Sequence, residues 1–372
     1  MSNLFLTKGK YMKLKHLLAA GLISASMINL NAEDKIDIHY SGYLDAYLAV
    51  ENDMKPQADD AIDFSRGLTY VNPKKNQLGL NMALFNISAT YKNLRANFGL
   101  QHGDLVKSAF ETPAVTNSPM LQQANVGINV FDKVWLDAGY FLTHIGGEAL
   151  LPKDNWLSSH SLVTYYEPFY QAGLRASYEG EKLTAQLHIL NGNGIIEENN
   201  HNKTFGLFLG YKILDNLSLS YANVMGNEEA GTPNHGKTHI LHSICTQYDV
   251  SESFSIKAQL DLATKEKVMI QNKEEDASYM GVSAQMKYKF IENLSATFRF
   301  AMIDNKDGLY PSALEGNAMT LGVEYKPSAS SYIRLEGSMY NMKDDYKIFY
   351  DADGKPTNSK MELMLNCGIY LD

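Results

Sequence analysis

The 372-residue chain holds only two cysteines and two tryptophans, and beyond its first 32 residues it has no apolar run of ~18 or more. So few cysteines exclude a disulfide-stapled scaffold. The missing run excludes a helical membrane protein. A basic excess is lacking too: the formal charge is −9, and −13 without residues 1–32, which carry Lys8, Lys10, Lys13 and Lys15 and no acid. A nucleic-acid partner needs a basic patch, so that class falls away. The 27 glycines follow no period, which excludes collagen, and 11% aromatics argue against disorder. Tyrosine is what the chain has in excess, at 23. It favours strands and the boundary between wet and dry surroundings.

Lys13 and Lys15 precede a short apolar stretch, Leu17-Leu18-Ala19-Ala20-Gly21-Leu22-Ile23, then small residues ending Asn31-Ala32. That order is a secretory signal peptide, expected to be cleaved after Ala32, with Met12 rather than Met1 as an alternative start. Residues 33–372 are then one exported domain. A length prior of ~150 residues per domain would allow two soluble domains, but a single large barrel is also within it. Cys245 and Cys367 fall on strand-like segments that are not neighbours, so two free thiols are expected, and no cysteine spacing suits a metal.

From residue 36 the dominant period is two. Ile36, Ile38, Tyr40, Gly42, Leu44, Ala46 and Leu48 alternate with Asp37, His39, Ser41, Tyr43, Asp45 and Tyr47. The pattern returns at 94–101, 172–178, 254–262, 294–302 and 333–339, as expected of strands with one apolar and one polar face. Segment 78–91 changes parity near Leu84-Phe85.

The connections say more. Seven are short and polar, at 92–93, 132–133, 179–182, 215–216, 251–253, 292–293 and 328–330. Eight are long, near 50–77, 103–121, 146–168, 191–202, 226–237, 264–277, 304–316 and 341–359. Short and long alternate throughout, so seven plus eight connections join about sixteen strands whose long loops share one end. A soluble sandwich has no reason for that segregation. A closed antiparallel transmembrane β-barrel does, with short periplasmic turns and long extracellular loops. Closure has a physical cause: hydrocarbon offers backbone amides no partner, so a sheet there keeps no edge. Tyr91, Tyr178, Tyr211, Tyr248, Tyr288 and Tyr325 each sit just before a short turn, which predicts an aromatic girdle at one rim.

Asn155-Trp156-Leu157-Ser158-Ser159-His160-Ser161, then Tyr166-Glu167-Pro168-Phe169 and Gln171-Ala172-Gly173-Leu174-Arg175-Ala176, together with Gln123-Ala124-Asn125-Val126-Gly127 and Asp137-Ala138-Gly139-Tyr140-Phe141, resemble the Putative beta-barrel porin-2 family, the OmpL-like outer-membrane proteins. The resemblance covers most of the chain and is sharpest between about 120 and 180. It implies a bacterial outer-membrane barrel with a porin's role, and brings no functional residues with it. Tyr370 is the aromatic nearest the C-terminus, where many such barrels end on one.

With apolar residues toward lipid, the alternate set faces a lumen too wide for side chains to fill. The pore-lining candidates are Arg95, Arg175, Lys257, Arg299 and Arg334 against Asp37, Asp45, Asp137, Asp261, Glu324 and Glu336. Opposed charge would filter ions; alternatively such residues pair across strands and stiffen the wall, most readily Glu324, Arg334 and Glu336. The 146–168 loop is the candidate constriction, because Leu150, Leu151, Trp156 and Leu157 make it too apolar to stand in water. It could equally pack over the mouth or on a neighbouring subunit.

An enzyme is the weakest alternative. Adjacent His242 and Ser243 point to opposite faces of a strand, and Ser158-Ser159-His160-Ser161 carries no Gly-x-Ser-x-Gly elbow. Asn191-Gly192-Asn193-Gly194 with Glu197 and Glu198 offers oxygen ligands but not EF-hand spacing, so a solvated loop without metal is expected. The reading is a porin, a passive diffusion channel for small hydrophilic solutes or ions in the outer membrane, with no cofactor. Lipid and lipopolysaccharide are its surroundings, and a homotrimer is one assembly. The rival is a surface-binding, adhesin-type barrel whose long loops contact ligands, with little or no conductance.

Overall fold

The structure is a computed structural model and describes residues 35–54, 66–110, 119–228, 237–270, 273–310 and 313–371. The signal peptide expected over residues 1–32 lies outside them. The strands are β1 (Asp37–Glu51), β2 (Leu78–Tyr91), β3 (Leu94–His102), β4 (Leu121–Phe131), β5 (Val134–Leu142), β6 (Tyr170–Glu179), β7 (Leu183–Leu190), β8 (Thr204–Leu214) and β9 (Leu217–Asn227). They continue with β10 (Thr238–Asp249), β11 (Phe254–Ile270), β12 (Lys273–Ile291), β13 (Leu294–Asn305), β14 (Leu314–Ser328), β15 (Ser331–Met342), the two-residue β16 (Phe349–Tyr350) and β17 (Pro356–Thr357), and β18 (Ser359–Leu371). Each long strand pairs antiparallel with its sequence neighbours, and β18 pairs with both β15 and β1, closing a barrel of sixteen strands. β16 and β17 form a small hairpin of their own.

Period two decides which side chain faces what. On β15, Ile333, Leu335 and Met339 are exposed on the outer wall, where lipid would cover them, while Arg334, Glu336, Ser338 and Tyr340 are buried inside. The break of parity in β2 falls at Asn81–Met82, two consecutive buried residues, and not at Leu84-Phe85. It sits opposite the register shift between Asp45 and Ala46, a bulge that turns Asn81 inward without ending the strand.

One of the expected long loops is strand at most of its described residues. Residues 264–277 are mostly strand, because β11 and β12 run on as a hairpin in which Lys265 pairs Ala277 and Ile270 pairs Lys273. Polar residues on both faces made the segment read as loop. Strand pairing needs backbone partners rather than a membrane, so the ladder continues past the apolar band.

The lumen has two storeys. Toward the short turns its side chains are polar, as in Ser295, Thr297 and Arg299 on β13. Toward the long loops, on β9–β14, they turn apolar: Ala222, Val224, Leu241, Ala263, Ala277, Tyr279, Ala301, Ile303 and Ala318 pack against Ile145, Leu162, Val163 and Tyr166 of the 143–169 loop. A second cluster joins Leu150, Leu151 and Phe169 of that loop to Val71, Leu105 and Phe110 of the two preceding loops. Each buried Leu or Val side chain contributes about 1.5–3 kcal/mol, so the loops are held inside the barrel by ordinary dry packing.

Candidate permeation path

The 143–169 loop leaves β5 and returns to β6, yet its polar partners lie across the ring on β13, β15 and β18. Arg334 donates to the backbone oxygens of Pro152 (2.7 Å) and Asn155 (2.8 Å), and its Nε to Glu324 (2.7 Å). Glu336 accepts from the amides of Ser158 and Ser159 and from the Ser159 hydroxyl at 2.6 Å. The Ser158 hydroxyl meets Asn366 at 2.8 Å. Arg299 grips the Ser159 oxygen at 2.6 Å, the His160 oxygen at 3.0 Å and the Glu148 carboxylate at 3.0 Å. A loop that brings backbone carbonyls to two buried guanidiniums satisfies donors that would otherwise be very costly to desolvate. Burial alone would raise the Glu148 carboxyl, but the Arg299 charge, then His160 and the Ser161 amide, hold it below the ordinary carboxylate value. Burial also keeps the His160 imidazole below its usual value.

Two glycines make these approaches possible. A Cβ on Gly322 would stand 2.4 Å from the Leu157 side chain, which would have to shift for the loop to stay against β14. A Cβ on Gly127 would stand 2.1 Å from the Asp137 carboxylate, blocking the bridge that Arg95 makes over β4.

On the opposite wall the same residue types are arranged differently. Asp137 accepts two bonds of 2.7 Å from Arg95 and a bond of 3.0 Å from Arg175, and Glu179 at the turn end accepts from Arg95 at 3.0 Å. Around Asp137 the cations are the accessible partners: the Arg95 and Arg175 side chains are 17% and 20% exposed and Asp137 is 0%, while Glu179 at the rim is itself 51% exposed. Lys287 repeats the relation on β12, at 22% exposed against 5% for its partner Glu324.

The other predicted residues are placed as follows. Asp45 is buried between the amides of Asn81 and Asn366, both at 3.0 Å. Asp261 is fully buried, and Gln259 donates to it at 3.0 Å. The Lys257 ammonium lies 4.5 Å from the centre of the Trp156 ring. Asp37 has lumen parity but is exposed at the turn-end rim. Leu150, Leu151 and Leu157 are buried. Tyr178, Tyr211, Tyr248, Tyr288 and Tyr325 are exposed on the outer face next to short turns, and Tyr91 is partly so.

Sequence reasoning missed the loop carboxylates Glu148 and Glu167, and a buried ion network near the long-loop end. In that network Arg66 meets Glu362 at 2.6 Å, while Lys360 and Lys75 meet Glu51 at 2.8 and 2.9 Å. The signal was present: Lys360, Glu362 and Asn366 alternate with Met361, Leu363 and Leu365. The hydroxyls of the serine cluster bond to the wall and the loop rather than to His160. The His160 ring contacts the Ala149 oxygen at 2.9 Å, and the neighbouring hydroxyls serve Asn366, Glu336 and Thr164. His242 faces outward and meets the Tyr221 hydroxyl at 2.8 Å, whereas Ser243 is buried inside. The 191–202 loop is not simply solvated, since Ile195 and Ile196 are buried.

Three cavities follow the docked loop through the lumen. The outermost, about 240 Å³, lies among Tyr70, Tyr165, Tyr166, Tyr310 and Asn193 and shares Glu167 and Pro168 with the next. The middle one, about 480 Å³, reaches His144, Arg175 and Gln186, and shares Gly146, Gly147 and Phe208 with the innermost. That last one, about 260 Å³, is lined by Lys257, Ser218 and Gln247 at the short-turn end.

The family profile described as "Putative beta-barrel porin-2, OmpL-like" matches residues 37–371. No curated protein matches the chain significantly. Among solved structures the chain is similar to the trimer form of OmpT, an outer-membrane protein of Vibrio cholerae (13% identity, 91% of this chain and 100% of that one, TM-score 0.56). It is also similar to an anion-selective porin from Comamonas acidovorans (11%, 91% and 100%, 0.58) and to the outer-membrane channel DcaP of Acinetobacter baumannii (12%, 90% and 97%, 0.59). At such identities these show the fold.

Proposed function

The chain belongs to the Putative beta-barrel porin-2, OmpL-like family of the outer membrane, and on that footing we propose that it is a passive diffusion channel for small hydrophilic solutes with a preference for anions. The observation that carries the proposal is the run of three cavities sharing lining residues from the long-loop end to the short-turn end. Solutes are sieved by the gap between the docked loop and the β4–β8 wall. Charge bias follows from accessibility: Arg95, Arg175 and Lys287 show their charge to the lumen while Asp137 and Glu324 are covered. Ions feel the exposed member of a pair most, because they can approach it to well within a Debye length while its partner stays covered. The six tyrosines serve as the interfacial girdle, the leader directs export, and trimers are the expected assembly. Single-channel conductance of the refolded protein, with a salt gradient to read the reversal potential, tests the reading.

A second reading is a ligand-binding barrel of little conductance. It is favoured by the apolar packing that fills the outer lumen between β9 and β15. A correctly folded but silent barrel would select it.

A further inference from the structure

At the outer end of the path four tyrosines from three different loops line one cavity together with Glu167. Tyr70 and Tyr165 stack at 4.8 Å and 16°, and Tyr166 and Tyr310 at 5.1 Å and 28°. Tyr165 meets Tyr166 edge to face at 5.2 Å, so the two stacks form a corner. Glu167 closes the cavity, and the Asn193 side-chain oxygen is buried there with no hydrogen-bond partner among the described residues.

Many buried carboxylates elsewhere in the lumen have cations: Glu148 has Arg299, Glu324 has Arg334, Glu362 has Arg66, Glu51 has Lys360 and Asp137 has Arg95. Asp45 and Glu336 have none among the described residues, but Asp45 accepts from two side-chain amides and Glu336 from two backbone amides and a hydroxyl. Glu167 differs from both. It and Asp261 both accept from the one amide of Gln259, no cation among the described residues pairs with either, and the second Asp261 oxygen has no partner. Two buried acids clamped on one amide, beside aromatic faces and an orphan oxygen, form a site of negative potential lacking a counter-charge. Burial, and after it Asp261, pushes the Glu167 carboxyl well above its ordinary value, so the site keeps a proton that an arriving cation would displace.

We infer that this pocket binds a small organic ammonium cation, held by the tyrosine faces and balanced by Glu167. Aromatic side chains attract such cations through the negative potential of the ring face. A bare metal ion fits poorly: hard cations want six or more oxygens, and no group of three metal-capable side chains occurs among the described residues. The cavity of about 240 Å³ is smaller than the ~300–1,000 Å³ that takes drug-sized ligands, which suits a molecule the size of choline. A neutral sugar ring would stack equally well but would leave the carboxylates unbalanced.

The inference goes beyond the channel reading, whose anion bias belongs to the deeper wall, and rests on it in one respect, that the pocket heads the path; binding and conduction are therefore measured separately. Choline chloride, its neutral tert-butyl analogue and glucose are titrated by calorimetry into the refolded full chain in detergent, at constant ionic strength. Choline is expected to bind roughly tenfold more tightly than the analogue, and Glu167→Gln or Tyr70→Leu to weaken it by a similar factor, while Tyr165→Phe keeps it. Strand content by circular dichroism checks each variant. The wild-type comparison of choline with its analogue decides the matter even if a variant misfolds. Equal binding of choline and analogue, glucose binding without choline, or no choline binding overturns the site. Choline binding by a barrel that is silent in a bilayer keeps the site and rejects the channel; conduction without choline binding does the reverse.

Discussion

The wall built from β13–β15 and β18 and the wall built from β3–β6 are furnished alike and used differently. On the first, Arg299 and Arg334 are 3% and 2% exposed and spend their donors on the backbone of the 143–169 loop. On the second, Arg95 and Arg175 keep several times that exposure and share one buried aspartate. What separates them is the loop. A lumen charge under a docked loop is part of the scaffold, whereas the same charge facing open lumen is left accessible to solutes. Lumen parity alone therefore does not identify a selectivity residue.

The comparison breaks most visibly at Arg299. Arg299→Met leaves Glu148 buried without its cation, an expected loss of ~3–5 kcal/mol. Chemical unfolding would read the loss, and conductance should rise as the loop loosens. Converting Glu148→Leu and Arg299→Met together should restore most of the stability, because no bare charge then remains. An unchanged unfolding midpoint in the single variant would deny the scaffold role.

pH sharpens the contrast within the loop. The Glu167 carboxyl is raised by burial and by Asp261, with Glu148 adding to the effect. Its neutral form is therefore favoured in the folded loop. That contribution is full below the ordinary glutamate value and is lost as pH rises through the raised one. Glu148 is depressed, so its contribution is present above the ordinary value and lost only as pH falls through the depressed one. Conductance against pH should rise as pH climbs through the raised Glu167 value, and again as it falls through the depressed Glu148 one. Asp261 and Gln259 on β11 and Cys245 on β10 also face this region, so Glu167→Gln is the control that should remove the upper limb.

On the open wall, Arg175→Gln leaves Asp137 its bonds to Arg95 and should lower the anion-to-cation permeability ratio roughly twofold with little change in stability. Cys245, lining the innermost cavity, should let a small hydrophilic thiol reagent reduce the current in a Cys367→Ser background. The smallest effect belongs to neither wall: Tyr288→Leu on the outer face should cost less than ~1 kcal/mol in unfolding measurements.

Strand alternation and the segregation of short from long connections were legible because both follow from a two-residue period and a closed sheet. The extension of β11–β12 was not, since Thr264 to Lys267 are polar on both faces and a paired hairpin there looks like loop in a linear reading. The dry outer storey was overlooked although Ala263, Ala277 and Ala301 stand on the same parity as Asp261, Ser283 and Arg299; small apolar residues on a polar face indicate something packed against them. Leu150, Leu151 and Leu157 marked the 146–168 loop as needing cover. Its partners at Arg299 and Glu336 were out of reach, because contacts 140 or more residues apart leave no local pattern.

The central claim is an open, anion-biased path beside a docked loop. The most direct test is the zero-current potential of single refolded channels between two concentrations of potassium chloride. The account predicts steady openings with a potential of the sign that chloride flux dictates, smaller in Arg175→Gln. A cation-selective potential would contradict the assignment of Arg95 and Arg175, and a folded barrel that never opens would contradict the path itself.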